Sequence, residues 1–154
     1  MGEQRQKFNR QIISTALMAC CGMAQAAGPD CSDINSWPTQ LTANSLKDFG
    51  IDRNTVDFDK THTILIVSEA LSKKALQPVI DKDVAEGIKT GLLKNKHDLD
   101  SVYLAGPIYR QIYKINFTRH TGENTIFITT TLASNEECSI GFENVALIAK
   151  EVNY

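Results

Sequence analysis

The sequence lacks a strong net charge of either sign. Among its 154 residues, 16 Lys and Arg oppose 18 Asp and Glu, which gives a formal net charge of -2 at pH 7. Nucleic acids and anionic membranes are bound through clustered Lys and Arg, so the composition predicts neither as a partner. Hydrophobic residues make up 42% and charged residues 22% of the chain, which is too apolar for a disordered protein and fits one small globular domain.

Compact catalytic motifs are also missing. The chain has no Gly-rich phosphate loop, no G-x-S-x-G, no H-E-x-x-H and no C-x-x-C. Because catalytic triads assemble from residues far apart in the sequence, this absence disfavours an enzyme without excluding one. The longest apolar run after the N-terminus, residues 64–67, is far shorter than the roughly 20 residues that a spanning helix needs, so no transmembrane span is expected there.

The N-terminus has the three parts of a secretory signal peptide. A basic start precedes an apolar run over residues 12–23, and Ala24-Gln25-Ala26 closes that run with a small-x-small pattern. The basic residues are Arg5, Lys7 and Arg10. Cleavage after Ala26 is expected, which would divide the chain into a signal peptide (1–26) and one domain (27–154). The mature protein is then expected in a bacterial periplasm or outside the cell.

A second interpretation concerns Leu17 to Cys20, which have the apolar-x-small-Cys order of a lipoprotein signal. Cleavage there would make Cys20 a lipid-anchored N-terminus at the membrane surface. The cysteine count favours the first interpretation, because cleavage after Ala26 removes two of the four cysteines and leaves an even pair. Cleavage before Cys20 would leave Cys21 as an additional thiol.

The remaining pair, Cys31 and Cys138, is expected to form one disulfide, since two cysteines in an exported protein normally oxidise. The bond would link the start of the mature chain to a residue near its C-terminus. Closing a loop of about 100 residues stabilises a fold by up to roughly 4.7 kcal/mol in the chain-entropy model. That contribution is a large share of the stability of a small domain.

Hydrophobic spacing predicts two helices. Residues 82–95 carry apolar side chains at helical spacing, with acids at the end where the helix dipole favours them. A shorter helix is predicted over residues 41–49, with Thr42 as its N-cap and Gly50 at the position that ends helices.

Alternating and β-branched runs predict the strands. Residues 109–118 and 125–132 alternate around a polar loop that contains glycine, which is the pattern of a β-hairpin. Residues 61–67 are predicted as a buried strand, and residues 101–104 and 145–149 as two further strands. The order favours an α+β domain, in which one main helix packs on one face of a small antiparallel sheet of four to five strands.

The three histidines, His62, His97 and His120, fall in different predicted elements, and nothing in their spacing brings them together. We therefore predict neither a metal site nor a cofactor. The residues with a predicted role in binding lie in polar loops or belong to types enriched in interfaces. They are Glu136, Glu137, Tyr109, Arg110 and His120.

An exported, disulfide-bonded domain of this size needs only a rigid sheet and an exposed loop to occupy another protein's surface. The leading hypothesis is therefore a periplasmic or secreted binding protein that acts by protein–protein interaction, such as an inhibitor or an immunity protein that neutralises a toxin or an enzyme. Two alternatives stay open. One is a small-ligand binding domain with a pocket between sheet and helix, and the other is a small hydrolase with dispersed His and carboxylate residues.

Overall fold

The computed structural model describes residues 28–138 and 140–151. The predicted signal peptide, with its cleavage position after Ala26 and the alternative anchor at Cys20, lies outside the described residues. Helices and strands follow one another along the described chain, joined in places by short 3-10 turns. Their bounds are α1 Trp37–Ser45, β1 Val56–Ala70, α2 Lys73–Thr90, α3 Asp100–Tyr103, β2 Tyr109–Arg119, β3 Asn124–Ala133 and β4 Gly141–Glu151.

The four strands form one antiparallel sheet in the order β1-β2-β3-β4, so each strand pairs with its neighbour in the sequence. The predicted hairpin is confirmed, since β2 and β3 pair without a register shift from Tyr109↔Ala133 to Thr118↔Asn124. In its turn, Gly122 has a φ of 89°, a left-handed value that glycine adopts without strain. The sheet and its helices confirm the predicted α+β class.

Alternate residues of β2 and β3 form a buried inner face of the sheet, as the two-residue period of a strand requires. Tyr113, Ile115, Phe117 and Phe127 on this face are at most 1% exposed. The rings of Phe117 and Phe127 meet edge to face with their centroids 5.8 Å apart. This geometry adds about 0.5–1.5 kcal/mol to the burial of the two rings.

Helix α1 packs against the inner face, with Ala43 1% exposed and Thr42 0% exposed. The predicted end of this segment at Gly50 is confirmed, because a 3-10 turn extends α1 to Phe49 and Gly50 then takes a left-handed φ of 73°. The predicted start with Thr42 as N-cap is wrong. The helix begins at Trp37, since Pro38 has a φ suited to the first helical turn and needs no donor there.

Helix α2 starts earlier and ends earlier than the predicted range of 82–95. Its start is fixed by Ser72, whose side chain accepts a hydrogen bond from the backbone N–H of Ala75 at 3.2 Å. Pro78 lies inside the helix and removes one backbone hydrogen bond, while Leu76, two residues earlier, is buried and fixes the helix to the core. The last turn closes where the N–H of Leu92 donates to the carbonyl oxygen of residue 87 at 2.9 Å.

A second buried cluster joins α2 to the sheet and to α3. Its fully buried members are Leu76, Tyr103, Ile108 and Leu132. Leu132 lies between two inner-face residues of β3, so α2 contacts the opposite, outer face at this corner. The predicted strand over residues 101–104 is wrong, because Asp100–Tyr103 is a single helical turn. A run of four residues is too short for its period to distinguish helix from strand.

The disulfide between Cys31 and Cys138 is confirmed, and it spans 107 residues of sequence. The chain before Cys31 is fixed to the sheet by further contacts. A Cβ atom at Gly28 would lie 2.6 Å from the ring of Tyr109, so only glycine fits this close approach. The Nε2 of Gln111 donates to the carbonyl oxygen of Pro29 at 2.7 Å. The segment ahead of α1 is therefore part of the packed domain.

Candidate functional site

Strand β1 is an edge of the sheet, because it pairs with β2 and, within the described chain, with no strand on its other side. It is 15 residues long, whereas β2, β3 and β4 have 11, 10 and 11. An edge strand presents a row of unpaired backbone N–H and C=O groups, which can pair with a segment of another chain. β1 therefore offers a long backbone template at the surface.

Large apolar side chains lie along this edge. The exposed fractions are 57% for Ile64, 53% for Ile66 and 39% for Val67, and these three residues are here called the β1 patch. The prediction of a strand over residues 61–67 is confirmed, but the prediction that it is buried is wrong. A continuous apolar run is typical of strands covered on both faces, whereas this one lies at the edge of the sheet.

A β-bulge places two neighbouring apolar side chains of the patch in solvent. Leu65 pairs with Tyr113 and Val67 pairs with Ile112, so two steps along β1 match one step along β2. Ile66 is the extra residue of the bulge. Neighbouring side chains of a regular strand alternate between faces, and the bulge interrupts this alternation. The exposed apolar surface is thereby wider than a regular edge strand would give.

Charged residues border the β1 patch at both ends. Before it, the Lys60 ammonium lies 2.9 Å from the Asp57 carboxylate, and this hydrogen-bonded contact holds the pKa of Asp57 below its ordinary value. After it, Glu69 pairs across the sheet with Arg110. An apolar centre with a charged rim is the usual arrangement of a protein interface.

Arg110, one of the predicted binding residues, joins β2 to β4 across the intervening strand. Its Nε lies 2.8 Å from one carboxylate oxygen of Glu143 and its Nη2 lies 2.9 Å from the other. This bidentate hydrogen bond raises the pKa of the guanidinium, and the nearby Glu69 carboxylate makes a smaller contribution in the same direction. The structure thus already engages Arg110 within the sheet, and a partner would compete with Glu143 for it.

The other predicted binding residues differ in exposure. Tyr109 is 3% exposed, and its ring packs against Gly28. Glu136 and Glu137 are exposed in the loop between β3 and β4, where the Ser134 hydroxyl accepts both of their backbone N–H groups at 3.2 and 3.0 Å. His120 is exposed in the turn between β2 and β3.

The structure does not bring these five residues into one site. The start of β2 and the β3–β4 loop lie at one end of the strands, whereas the turn with His120 lies at the other end. Ten residues of β3 separate the two ends, which corresponds to roughly 33 Å of extended strand. A single partner surface of ordinary size would engage one end or the other.

The histidines lie on three different elements: His62 on β1, His97 in a 3-10 turn and His120 in the hairpin turn. Within residues 28–138 and 140–151, no group of three or more His, Cys, Asp or Glu side chains is placed to hold a metal ion. Over the same residues, no helix combines the length and the apolar character needed to cross a membrane.

The β1 patch is the surface feature that sequence reasoning missed. The available signal was the charged border, since Lys60 and Glu69 flank the apolar run on both sides, as is common in edge strands. Comparisons of the chain with protein-family models, with curated proteins and with solved structures found no match.

Proposed function

We propose that this chain is an exported binding protein that acts by contact with another protein, and that the β1 patch is its contact surface. The observation that carries the proposal is the exposure of Ile64, Ile66 and Val67 together on a long edge strand. Exposed apolar surface rimmed by polar residues is typical of protein interaction sites. Removing such surface from water contributes about 25 cal/mol for each Å², against which the cost of association is set.

The unpaired side of β1 favours one mode of binding, the addition of a strand. An extended segment of the partner would pair its backbone with β1, while its side chains pack against the patch. Charges of both signs lie next to the patch. Asp57, Asp59 and Glu69 lie on β1 with Lys60, and β2 places Lys114 beside Ile64 and Arg110 beside Glu69. The exposed apolar side chains therefore favour a partner segment with an apolar centre, and the mixed charges around them match flanks that carry both signs.

Export is the part of this proposal that rests on the N-terminal pattern and on the disulfide. Disulfides form and persist mainly in oxidising compartments such as the periplasm and the extracellular space. A protein that covers a strand of an enzyme or a toxin blocks access to that strand. An inhibitor or an immunity protein is therefore the finer form of the proposal.

Site-specific photo-crosslinking tests the contact surface in the full chain. A photoreactive amino acid is placed at Ile66, and a matched variant carries it at Lys89, an exposed position on α2. We expect the first variant to give one saturable crosslink to a different protein and the second to give none. Identical crosslinking patterns from the two positions, or a crosslink at Ile66 to a second copy of this chain, would contradict the proposal.

Affinity measurement with the identified, purified partner completes the test. We expect Ile66→Lys to weaken the complex about tenfold or more, which corresponds to at least about 1.4 kcal/mol. Leu92→Lys is the control, since Leu92 is 82% exposed and lies after α2, away from β1. Inhibition of the partner's own activity by the wild-type chain, and loss of that inhibition with Ile66→Lys, would support the finer form.

A further inference from the structure

A cleft of about 360 Å³ opens between the C-terminal half of α2 and the segment that follows it. Residues of α2, of α3 and of the approach to β4 form its walls. Most of the wall is apolar, and the side chains used below are Leu92, Leu93, Leu99 and Val102. Clefts of this volume with apolar walls and a few polar groups are typical sites for small organic molecules.

Backbone contacts fix the shape of this cleft. The N–H of Leu93 donates to the carbonyl oxygen of Gly87 at 3.0 Å. A Cβ atom at Gly87 would lie 2.4 Å from the Leu93 side chain, so a larger residue there would displace Leu93 from this wall. The Asp98 carboxylate accepts the backbone N–H groups of Lys94 and Asn95 at 2.7 and 3.1 Å, which fixes the following loop. The cleft is thus formed before any ligand binds.

The charged groups that line the cleft have one sign. Asp83 and Glu86 lie one turn apart on α2, and among the described lining residues no Lys, Arg or His accompanies them. The buried Tyr103 donates its hydroxyl proton to the Asp83 carboxylate. A carboxylate has about four acceptor positions, of which Tyr103 uses one. Acceptor capacity and negative charge therefore remain at the cleft.

Two apolar side chains at the rim of the cleft are exposed to water. Leu92 is 82% exposed and Val102 is 41% exposed. A molecule seated in the cleft would cover part of both side chains, and this burial favours a ligand with an apolar body.

We infer that the cleft binds a small organic cation, with an aromatic or branched apolar body against Leu93 and Leu99 and a protonated amine beside Asp83 and Glu86. Opposite charge gives the amine charge-assisted hydrogen bonds to the carboxylates. The same carboxylates repel a ligand that ends in a carboxylate or a phosphate. This binding site is separate from the β1 patch, and it does not depend on the proposed protein contact.

Three indoles of nearly equal size and different charge test the inference: tryptamine as the cation, tryptophol as the neutral analogue and indole-3-acetate as the anion. Binding to the full mature chain is followed by amide chemical shifts. We expect shifts at residues around the cleft, with tryptamine binding about tenfold more tightly than tryptophol, the factor of one partly exposed charge-assisted hydrogen bond. Indole-3-acetate should bind most weakly.

Two variants distinguish the contribution of the negative charge from the contribution of the cleft's shape. Asp83→Asn keeps an acceptor for Tyr103 but removes one of the two charges, so it should reduce the preference for tryptamine over tryptophol and leave the affinity for tryptophol unchanged. Val102→Trp fills the cleft and should weaken all three probes. Ile64→Lys on the distant edge strand should change none of them.

Several results would overturn the inference. These are equal affinities for the three indoles, an unchanged preference for tryptamine in Asp83→Asn, or no shift around the cleft with tryptamine at about 10 mM, where even a very weak site with millimolar affinity would be occupied. Thermal melting of each variant, compared with that of the wild type, shows whether a lost affinity reflects a lost fold.

Discussion

The hydroxyl oxygens of Thr42 and Thr129 lie 2.6 Å apart between α1 and the inner face of the sheet. Both side chains are 0% exposed. The Thr42 hydroxyl has one proton, which it donates to the carbonyl oxygen of Pro38 at 2.7 Å. Thr129 is therefore the donor in the pair, and the hydrogen bonds run in one direction from the sheet into the helix.

This direction predicts unequal effects of two matched substitutions. Thr42→Val leaves the Thr129 donor buried without an acceptor, and we expect it to lower the free energy of unfolding by about 1–3 kcal/mol. Thr129→Val removes the hydrogen bond that Thr42 accepts, but Thr42 still donates to Pro38. We expect this variant to lower the free energy of unfolding by about 1 kcal/mol. Urea denaturation measures both values.

The double variant provides the control for this prediction. With both hydroxyls replaced, no unpaired donor remains, so the combined cost should be smaller than the sum of the single costs. Additive costs, or a larger cost for Thr129→Val, would show that the hydrogen bonds do not run in the stated direction.

Gln111 ties the segment ahead of α1 to the sheet, and its replacement should release that segment. Its Nε2 donates to the Pro29 carbonyl at 2.7 Å and to the Ser68 hydroxyl at 3.2 Å, while its Oε1 accepts the Tyr113 hydroxyl proton at 2.6 Å. Gln111→Leu leaves the buried Tyr113 donor unpaired, at an expected cost of about 1–3 kcal/mol. Hydrogen exchange should accelerate at Asp30 and Cys31.

Ser68→Ala is the matched control for Gln111→Leu, because it removes a single long contact of the same amide. We expect it to change the stability by less than about 1 kcal/mol and to leave exchange at Asp30 as in the wild type. Equal exchange rates in the two variants would mean that Gln111 does not hold this segment.

Alkaline pH should destabilise the fold through Tyr113. Burial raises its pKa from the ordinary 10.0 to about 12. The unfolded chain then loses this proton at a lower pH than the folded chain does. The stabilisation is present in full below pH 10 and is lost as the pH rises towards about 12.

Equilibrium unfolding measured from pH 8 to pH 12 checks this dependence. Tyr113→Phe should reduce the decline in the free energy of unfolding above pH 10. Part of the decline should remain, because burial also raises the pKa of Tyr103. A decline of the same slope in Tyr113→Phe and wild type would assign the effect to other groups.

Reduction of the disulfide should remove a large part of the stability. The bond spans 107 residues, and its loss typically costs about 2–5 kcal/mol because the unfolded chain gains freedom. Urea denaturation with and without a reductant measures the difference. The variant with Cys31→Ala and Cys138→Ala should resemble the reduced protein and be insensitive to reductant. An unchanged midpoint for the wild type in reductant would contradict the prediction.

Local patterns in the sequence predicted the parts of the fold that local interactions determine. The hairpin of β2 and β3 follows from two alternating runs around a glycine, and the end of the first helical segment follows from Gly50. The start of α2 was missed, since Pro78 obscured a helix that Ser72 caps and that burial of Leu76 stabilises. The start of this helix therefore depends on tertiary packing, which local sequence patterns do not report.

The candidate site could not be predicted in the same way. Whether Ile64 and Ile66 are buried depends on the position of β1 in the sheet, which distant residues decide. Arg and Tyr are residue types enriched in protein interfaces. In this fold, however, Arg110 forms an ion pair with Glu143 and Tyr109 is buried. The exposed apolar edge is thus a property of the assembled sheet.

The bond between Cys31 and Cys138 also determines how the molecule carries mechanical load. Tension applied between the two chain ends passes through the two sulfur atoms and bypasses the 107-residue segment that the bond closes. Helices α1, α2 and α3 and strands β1, β2 and β3 lie inside that loop, so they cannot be drawn out while the bond is intact, whereas β4, over Gly141–Glu151, lies beyond it. Within the described residues, a pulled, oxidised molecule therefore lengthens by releasing β4 and the short segment ahead of Cys31, and only reduction allows the loop itself to be stretched.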